Sequence, residues 1–261
     1  MLASYIYVVA ATAAALQQHC DSSLWRRRDT KLAIAGAIAT VAIAPFDERI
    51  ARWARSDNVQ GGSDRHDAVS GVTVVNEVPL TLAAVTTYAV GRLSHNATVT
   101  DVGAHLTESL VSTVVLEEVV RIALGRARPH ESPDDAFNFS PFLGLKRFEY
   151  RSFPSLHAAV AFATAATLSE EMRLRHVHAR KYLSPLLYAA ATIPGFTRVY
   201  LDQHWSSDIV SGTVVGVLIG GAIVRYSHSR RTTVDRWLIP NTMAVSDGRV
   251  RLGWTFVQSP R

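Results

Sequence analysis

Apolar positions recur with a helical period from about residue 30 to residue 227, broken by short polar segments. The pattern predicts helices over 30–45, 47–56, 67–92, 98–125, 155–175, 180–194 and 206–227. Strand-like alternation enters only in the tail. There Thr242–Val245 and Val250–Phe256 flank Asp247-Gly248, a two-residue hairpin signal. The expected fold class is therefore all-α, a helical bundle with a short C-terminal hairpin. Two loops stand out. Residues 57–66 are polar and contain glycine, while residues 129–153 form a long connection with Pro129, Pro133, Pro141 and several aromatics. A loop of that length in a compact domain is usually either functional or disordered.

The same pattern divides the chain into three parts. Residues 1–28 begin with a stretch, 1–20, that has no Lys, Arg, Asp or Glu and ends its apolar part in alanines. It reads equally as the apolar region of a signal peptide or as an anchoring helix. Residues 29–227 form the helical domain, and 228–261 a basic tail with the hairpin. The charge-free runs Leu32–Phe46, Tyr182–Thr197 and Ile209–Val224 are fifteen or sixteen residues long. A membrane span takes about 17–25 residues. Buried helices of a soluble core read the same way, but several such runs together tilt the reading toward membrane association.

Composition narrows this only slightly. The 261 residues suffice for one core. A hydrophobic share of 48% and a mean hydropathy of +0.10 exclude a disordered chain and do not mark a conventional polytopic membrane protein. The net charge of +5 suits an anionic substrate, an anionic membrane surface or nucleic acid. Cys20 is the one cysteine, so an intrachain disulfide and a cysteine-rich zinc site are excluded.

Three separated segments carry candidate chemistry. In the first, Arg121 and Arg128 precede Pro129. Seven apart, they would share one face of a helix, two turns from each other, and two guanidiniums there can grip an oxyanion. A solvated basic face at a helix C-terminus would look the same. The second is Pro154-Ser155-Leu156-His157, at the expected start of a helix. A hydroxyl and free N–H groups at a helix N-terminus make an anion site. A capping serine beside an incidental histidine is the alternative. The third contains Arg198, His204 and Asp208. His204 and Asp208, four apart, would meet on one helical face, the carboxylate setting the imidazole tautomer and leaving the other nitrogen free to attack. A capping aspartate near a histidine is again the plainer reading.

Taken together, Arg-x6-Arg-Pro, Pro-Ser-Leu-His and Thr-Arg-x5-His-x3-Asp resemble the signature of the type 2 phosphatidic acid phosphatase superfamily, which also contains the vanadium haloperoxidases. Its pattern is Lys-x6-Arg-Pro, Pro-Ser-Gly-His and Ser-Arg-x5-His-x3-Asp, and order and spacing agree over about residues 115–227. Arg121 stands for the family lysine, Thr197 for serine and Leu156 for glycine. The last is the largest departure, because a leucine side chain there is expected to crowd the pocket.

The resemblance implies a metal-independent phosphatase acting on a phosphomonoester or lipid (pyro)phosphate. By that resemblance His204 is the nucleophile, oriented by Asp208, and His157 is the acid and base. Arg121, Arg128, Arg198, Ser155 and the Leu156 N–H bind the phosphate. No cofactor is implied, and vanadate is expected as an inhibitor. The implied partners are a phosphorylated lipid or small molecule and a membrane, not nucleic acid. The implied location is the cell envelope, membrane or periplasmic, with the site on the non-cytoplasmic side. Two other readings share these residues: a haloperoxidase with vanadate as cofactor, and an anion-binding membrane protein impaired by Leu156.

Other clusters carry less. Glu117 and Glu118 are expected to form a salt bridge with Arg121. Glu170 and Glu171 are expected to pair with nearby arginines in the stretch around His176 and His178, read as a solvated or membrane-facing loop.

Overall fold

A computed structural model describes residues 24–61, 69, 71 and 77–229, together with the backbone of 242–246 and 249–253. The N-terminal segment 1–20, most of the expected helix start at 67–76, the Asp247-Gly248 turn and the end of the second expected strand lie outside the described residues.

The described chain is helical, as its periodicity requires. Helix α1 spans Arg27–Ile43 and runs through a 3₁₀ turn, Ala44–Phe46, into α2, Asp47–Ala54. After a single helical turn at Asp57–Gln60 come α3, Glu77–Leu93, and α4, Ala97–Leu124. Helices α5, Leu156–Leu174, α6, Arg180–Tyr200, and α7, Ser206–Ser229, complete the bundle. The tail hairpin pairs β1, Thr242–Ser246, antiparallel with β2, Arg249–Gly253, with Ser246 opposite Arg249.

Helix α5 is the centre of the bundle. It is alanine-rich, and Ala158, Ala159, Ala163, Ala165 and Ala166 are almost wholly buried. Helix α7 packs on it through Gly212, Gly216 and Gly220, one per turn on one face. A Cβ at these positions would stand 2.3, 2.1 and 2.5 Å from the backbone oxygens of Ser155, Ala159 and Ala163. Small residues on both helices thus let two backbones touch. The Ser155 N–H donates to the Asp208 carbonyl at 3.0 Å, which sets the start of α5 against the start of α7.

One helix end and one shared helical face differ from expectation. Helix α6 continues to Tyr200, through Pro185 and Pro194. The Thr197 hydroxyl donates to the Pro194 carbonyl at 2.8 Å in that last stretch. Helix α4 stops at Leu124, so Arg128 lies beyond the helix and not on one face with Arg121. The stop is Gly125, left-handed at φ +59°, whose N–H closes on the Arg121 carbonyl at 3.0 Å. The chain then turns into a bridge between Arg126 and Phe139.

Any side chain at position 125 is strained twice, by the positive φ and by a Cβ 1.8 Å from the Ser140 carbonyl oxygen. Gly125→Ala is therefore expected to cost about 2 kcal/mol or more. Thermal unfolding of the purified variant should show a lower midpoint; an unchanged midpoint would contradict this account of the helix stop.

Candidate active site

At one end of the bundle the three segments come together. Beneath them lies a buried ionic network. The Arg126 guanidinium donates to Asp208 Oδ1 at 2.5 Å, to Asp47 Oδ2 at 2.8 Å, to the Ser207 hydroxyl at 2.7 Å and to the Ala136 carbonyl. Asp47, at the start of α2, also accepts the Ser207 N–H at 2.9 Å and the Ser207 hydroxyl. The second oxygen of Asp208 accepts the Ser152 hydroxyl at 2.6 Å and the Trp205 N–H at 2.9 Å.

His204 does not share a helical face with Asp208. It sits in the turn between α6 and α7, while Asp208 is in the first turn of α7. The Asp208 carboxylate takes the Trp205 N–H as a helix-start acceptor and approaches His204 Nδ1 at 3.4 Å. That separation is longer than a formed N–H···O bond. His204 Nε2 is buried and has no hydrogen-bond partner among the described residues. Burial holds the His204 imidazole down at about 4, helped by Arg128 and Arg121 and opposed by Asp208.

His157 stands in the first turn of α5, its ring centroid 6.1 Å from that of His204. Its pKa is depressed to about 2, first by burial and then by Arg198, His204, Arg121 and Arg128. The three arginines and both histidines thus form one cluster whose members act on one another. Arg128 is itself lowered to about 10, by burial and by repulsion from Arg121 and Arg198. Such a pocket favours an anion, whose charge would relieve the repulsion. Ser155 is the N-cap of α5, with its hydroxyl buried and without a partner among the described residues. The first-turn N–H groups have no side-chain cap either.

Leu156 corrects an expectation. Its side chain does not crowd the pocket but packs into the core with Ala84, Leu106, Leu110 and Val160. The Cβ of a first-turn residue follows the helix rotation, and that rotation turns position 156 toward α3 and α4. The motive for an impaired pocket is thereby removed.

Four contributors were not singled out in the sequence. Arg126 lies between two motif arginines and reads as one more surface charge. Asp47 is distant in the chain and reads as a helix-start residue. Glu77, in the first turn of α3, places Oε2 3.7 Å from His157 Nε2. Phe148 lies under the Arg128 guanidinium, 4.3 Å from carbon to ring centroid. Each depends on long-range packing; only the Gly-Arg-x-Arg-Pro string around Arg126 offered a local signal. Glu118, as expected, pairs with Arg121 at 2.5 Å. Its neighbour Glu117 is buried without a hydrogen-bond partner among the described residues.

A helical bundle that ends in a buried cluster of three arginines and two histidines, with a carboxylate behind one of them, suits a class of protein that handles an anion such as phosphate. The chain belongs to the PAP2 superfamily, whose family model matches residues 103–232. It is 34% identical over 119 residues to a lipid A 1-phosphatase of Rhizobium etli, covering 44% of this chain and 46% of that protein. It is 28% identical over 115 residues to an undecaprenyl-diphosphatase of Sulfolobus acidocaldarius, covering 44% and 50%. The chain thus spans about half the length of these curated relatives. Its fold matches the transmembrane PAP2 type phosphatidylglycerolphosphate phosphatase of Bacillus subtilis with a TM-score of 0.61 at 19% identity, over 78% of this chain and 98% of that one.

Since Leu156 is a core residue, Leu156→Gly is expected to remove packing worth about 3 kcal/mol without opening the pocket. Denaturant unfolding should show the loss of stability. A variant as stable as the parent and turning over phosphoesters faster would show that Leu156 does obstruct the site.

Proposed function

We propose that this protein is a metal-independent phosphatase that removes a phosphoryl group from a membrane lipid phosphate or diphosphate through a phosphohistidine. The observation that carries the reading is the convergence of Arg121, Arg128 and Arg198 on a buried pocket that also holds His204 and His157. In this reading the three guanidiniums, the Ser155 hydroxyl and the Leu156 N–H hold the phosphoryl oxygens. His204 Nε2 attacks phosphorus while the bond to the leaving oxygen breaks. His157 protonates that oxygen, then takes a proton from the water that cleaves the phosphorus–nitrogen bond. Inorganic phosphate leaves and His204 returns to its neutral form. Phosphoryl transfer needs mainly positioning and charge stabilisation, which fixed guanidiniums can supply.

His157 needs a proton for the first step, and without a ligand burial and then the arginines keep it neutral. The negative charge of a bound phosphate offsets the arginines and so favours the protonated, acidic form of His157. Glu77, beside His157, favours the same protonated form. The ligand thus promotes the protonation that the first step needs.

Two features support a lipid substrate. Helices Arg27–Ala54 and Ser206–Ser229 are long and apolar enough to cross a membrane. Around them, Ile34, Ile38, Leu82, Val115, Leu186 and Phe196 are exposed, an outer surface suited to lipid. In the loop that follows Arg128, Phe137, Phe142, Leu145 and Phe148 are also exposed, next to Lys146 and Arg147. Apolar rings among cations suit the headgroup boundary, where the phosphate of a lipid would meet Arg128. The relatives named above as phosphatases of lipid A and of undecaprenyl diphosphate fit the same class. A non-cytoplasmic site, by family analogy, belongs to this proposal.

Purified protein in detergent is expected to release phosphate from lipid phosphates in the presence of EDTA. His204→Ala should lower turnover by at least about a thousandfold, and vanadate, a mimic of five-coordinate phosphorus, should inhibit. Turnover that EDTA abolishes while the protein stays folded, or that His204→Ala leaves intact, would overturn the phosphohistidine reading.

The pH profile offers a second check. His204 must be neutral to attack. Its pKa is lowered in the folded protein, so the neutral form persists as pH falls below the ordinary histidine value and is lost only near about 4. The acid limb of kcat/KM reports the free enzyme. With a diphosphate or other substrate whose own ionisation is known and corrected for, that limb should lie well below pH 6.5. A limb at or above 6.5 would show that His204 is not held neutral by burial.

A further inference from the structure

The opposite end of the bundle holds a second convergence of side chains. His105 lies in the third turn of α4, Glu171 in the last turn of α5 and His228 in the last turn of α7. Along α4, His105 is roughly 24 Å from Arg121, at about 1.5 Å per residue. His105 Nδ1 is 2.5 Å from Glu171 Oε1, and His228 Nε2 is 3.1 Å from the same oxygen. The two rings face each other across it with centroids 5.4 Å apart. The three atoms lie within 4.8 Å of one another. His105 and Glu171 are buried, whereas the His228 side chain is 30% exposed.

The carboxylate is oriented for this arrangement. Arg175, one turn on, donates to Glu171 Oε2 at 2.8 Å and is itself held by Asp101 at 3.1 Å and Thr98 at 3.2 Å. That leaves Oε1 toward both imidazoles. Glu171, Glu108 and Asp101 all bear on His105 with negative charge, and Arg175 is the cation paired with two of them. The cluster therefore carries more negative than positive fixed charge when its imidazoles are neutral.

We propose that His105, Glu171 and His228 bind one divalent transition-metal ion, with zinc as the best fit, clamping α4, α5 and α7 together far from the phosphate pocket. Two imidazole nitrogens and one carboxylate oxygen form a donor set suited to zinc. At zinc–ligand distances of about 2.0–2.1 Å, tetrahedral donors stand about 3.3 Å apart. The His228 separation already fits, and the His105 separation needs to widen by under about 1 Å, within reach of small side-chain rotations. A fourth ligand, water, has access on the side where His228 is exposed. A hydrogen-bonded cluster, in which Oε1 accepts an N–H from each ring, would give the same contacts without metal, and measured zinc binding separates the two. The proposal does not rest on the phosphatase reading, since its residues and readout are separate.

The test uses the full chain in detergent, stripped with chelator and dialysed against Zn²⁺, with Mg²⁺ in parallel. Bound metal is measured by elemental analysis and stability by thermal unfolding. The parent and His178→Gln, an exposed control, are expected to retain one zinc per chain, to unfold at higher temperature with zinc, and to ignore Mg²⁺. His105→Gln and His228→Gln should each weaken zinc binding about tenfold or more. Because His228 is partly exposed, His228→Gln is expected to fold, which keeps the test decisive if His105→Gln does not. Zinc binding that is substoichiometric in the parent, or equal in the parent and His228→Gln, overturns the proposal.

Discussion

One buried guanidinium organises the end of this bundle where the chemistry is placed. Arg126 sits between Asp47 and Asp208 and spends its donors on them, on Ser207 and on a carbonyl of the long loop. The rings of Phe139, Phe153 and Trp205 surround it, each centroid between 5.4 and 5.8 Å away. In such a dry setting a charge left without its partner costs about 3–5 kcal/mol. The network therefore leaves little freedom to the elements it joins: the start of α2, the loop after α4, the segment before α5 and the start of α7. Those elements carry Arg128, Ser155 and Asp208, and they border the turn that carries His204.

The consequence is a division of charge. The carboxylates of Asp47 and Asp208 are occupied by Arg126, Ser152 and Ser207, and the guanidiniums of Arg121, Arg128 and Arg198 all bear on His157. Arg121 is braced by Glu118 and by the Arg151 carbonyl at 2.8 Å, and Arg128 by Gln203 at 2.6 Å and the Phe148 ring. A pocket built this way is already charged and already ordered before any anion arrives. Binding then has little reorganisation to pay for, which is the condition under which fixed dipoles and charges act most strongly on a reacting group.

The packing that makes this possible is made of small residues. Alanines on α5 and glycines at three successive turns of α7 bring two helix backbones into contact, so the N-termini of both helices open on the same side. Larger residues would hold the helices apart and separate Ser155 from Asp208. The same close pairing brings Glu171 and His228 together at the far end, where α4 adds His105. One packing rule thus produces a convergence of side chains at each end of the bundle.

Much of this was legible along the chain. Hydrophobic periodicity is a local property, and it located the helices and the hairpin. Motif spacing is local too, and it singled out Arg121, Arg128, Ser155, His157, Arg198, His204 and Asp208 as one set. What could not be read was direction. Whether Leu156 faces the pocket or the core depends on the rotation of α5 against α3 and α4. Where Arg128 points once α4 has ended depends on the turn at Gly125 and its bridge to the long loop. That Asp47 and Arg126 complete the site, that Glu77 stands beside His157, and that Glu171 lies between two histidines are facts of residues brought together across long stretches of chain. Sequence determined which elements form and which residues make up the candidate set, because those follow from neighbours a few positions apart. Only the tertiary structure decided which charges are neutralised and which remain free to act, because that depends on burial and on partners that meet only when the helices pack.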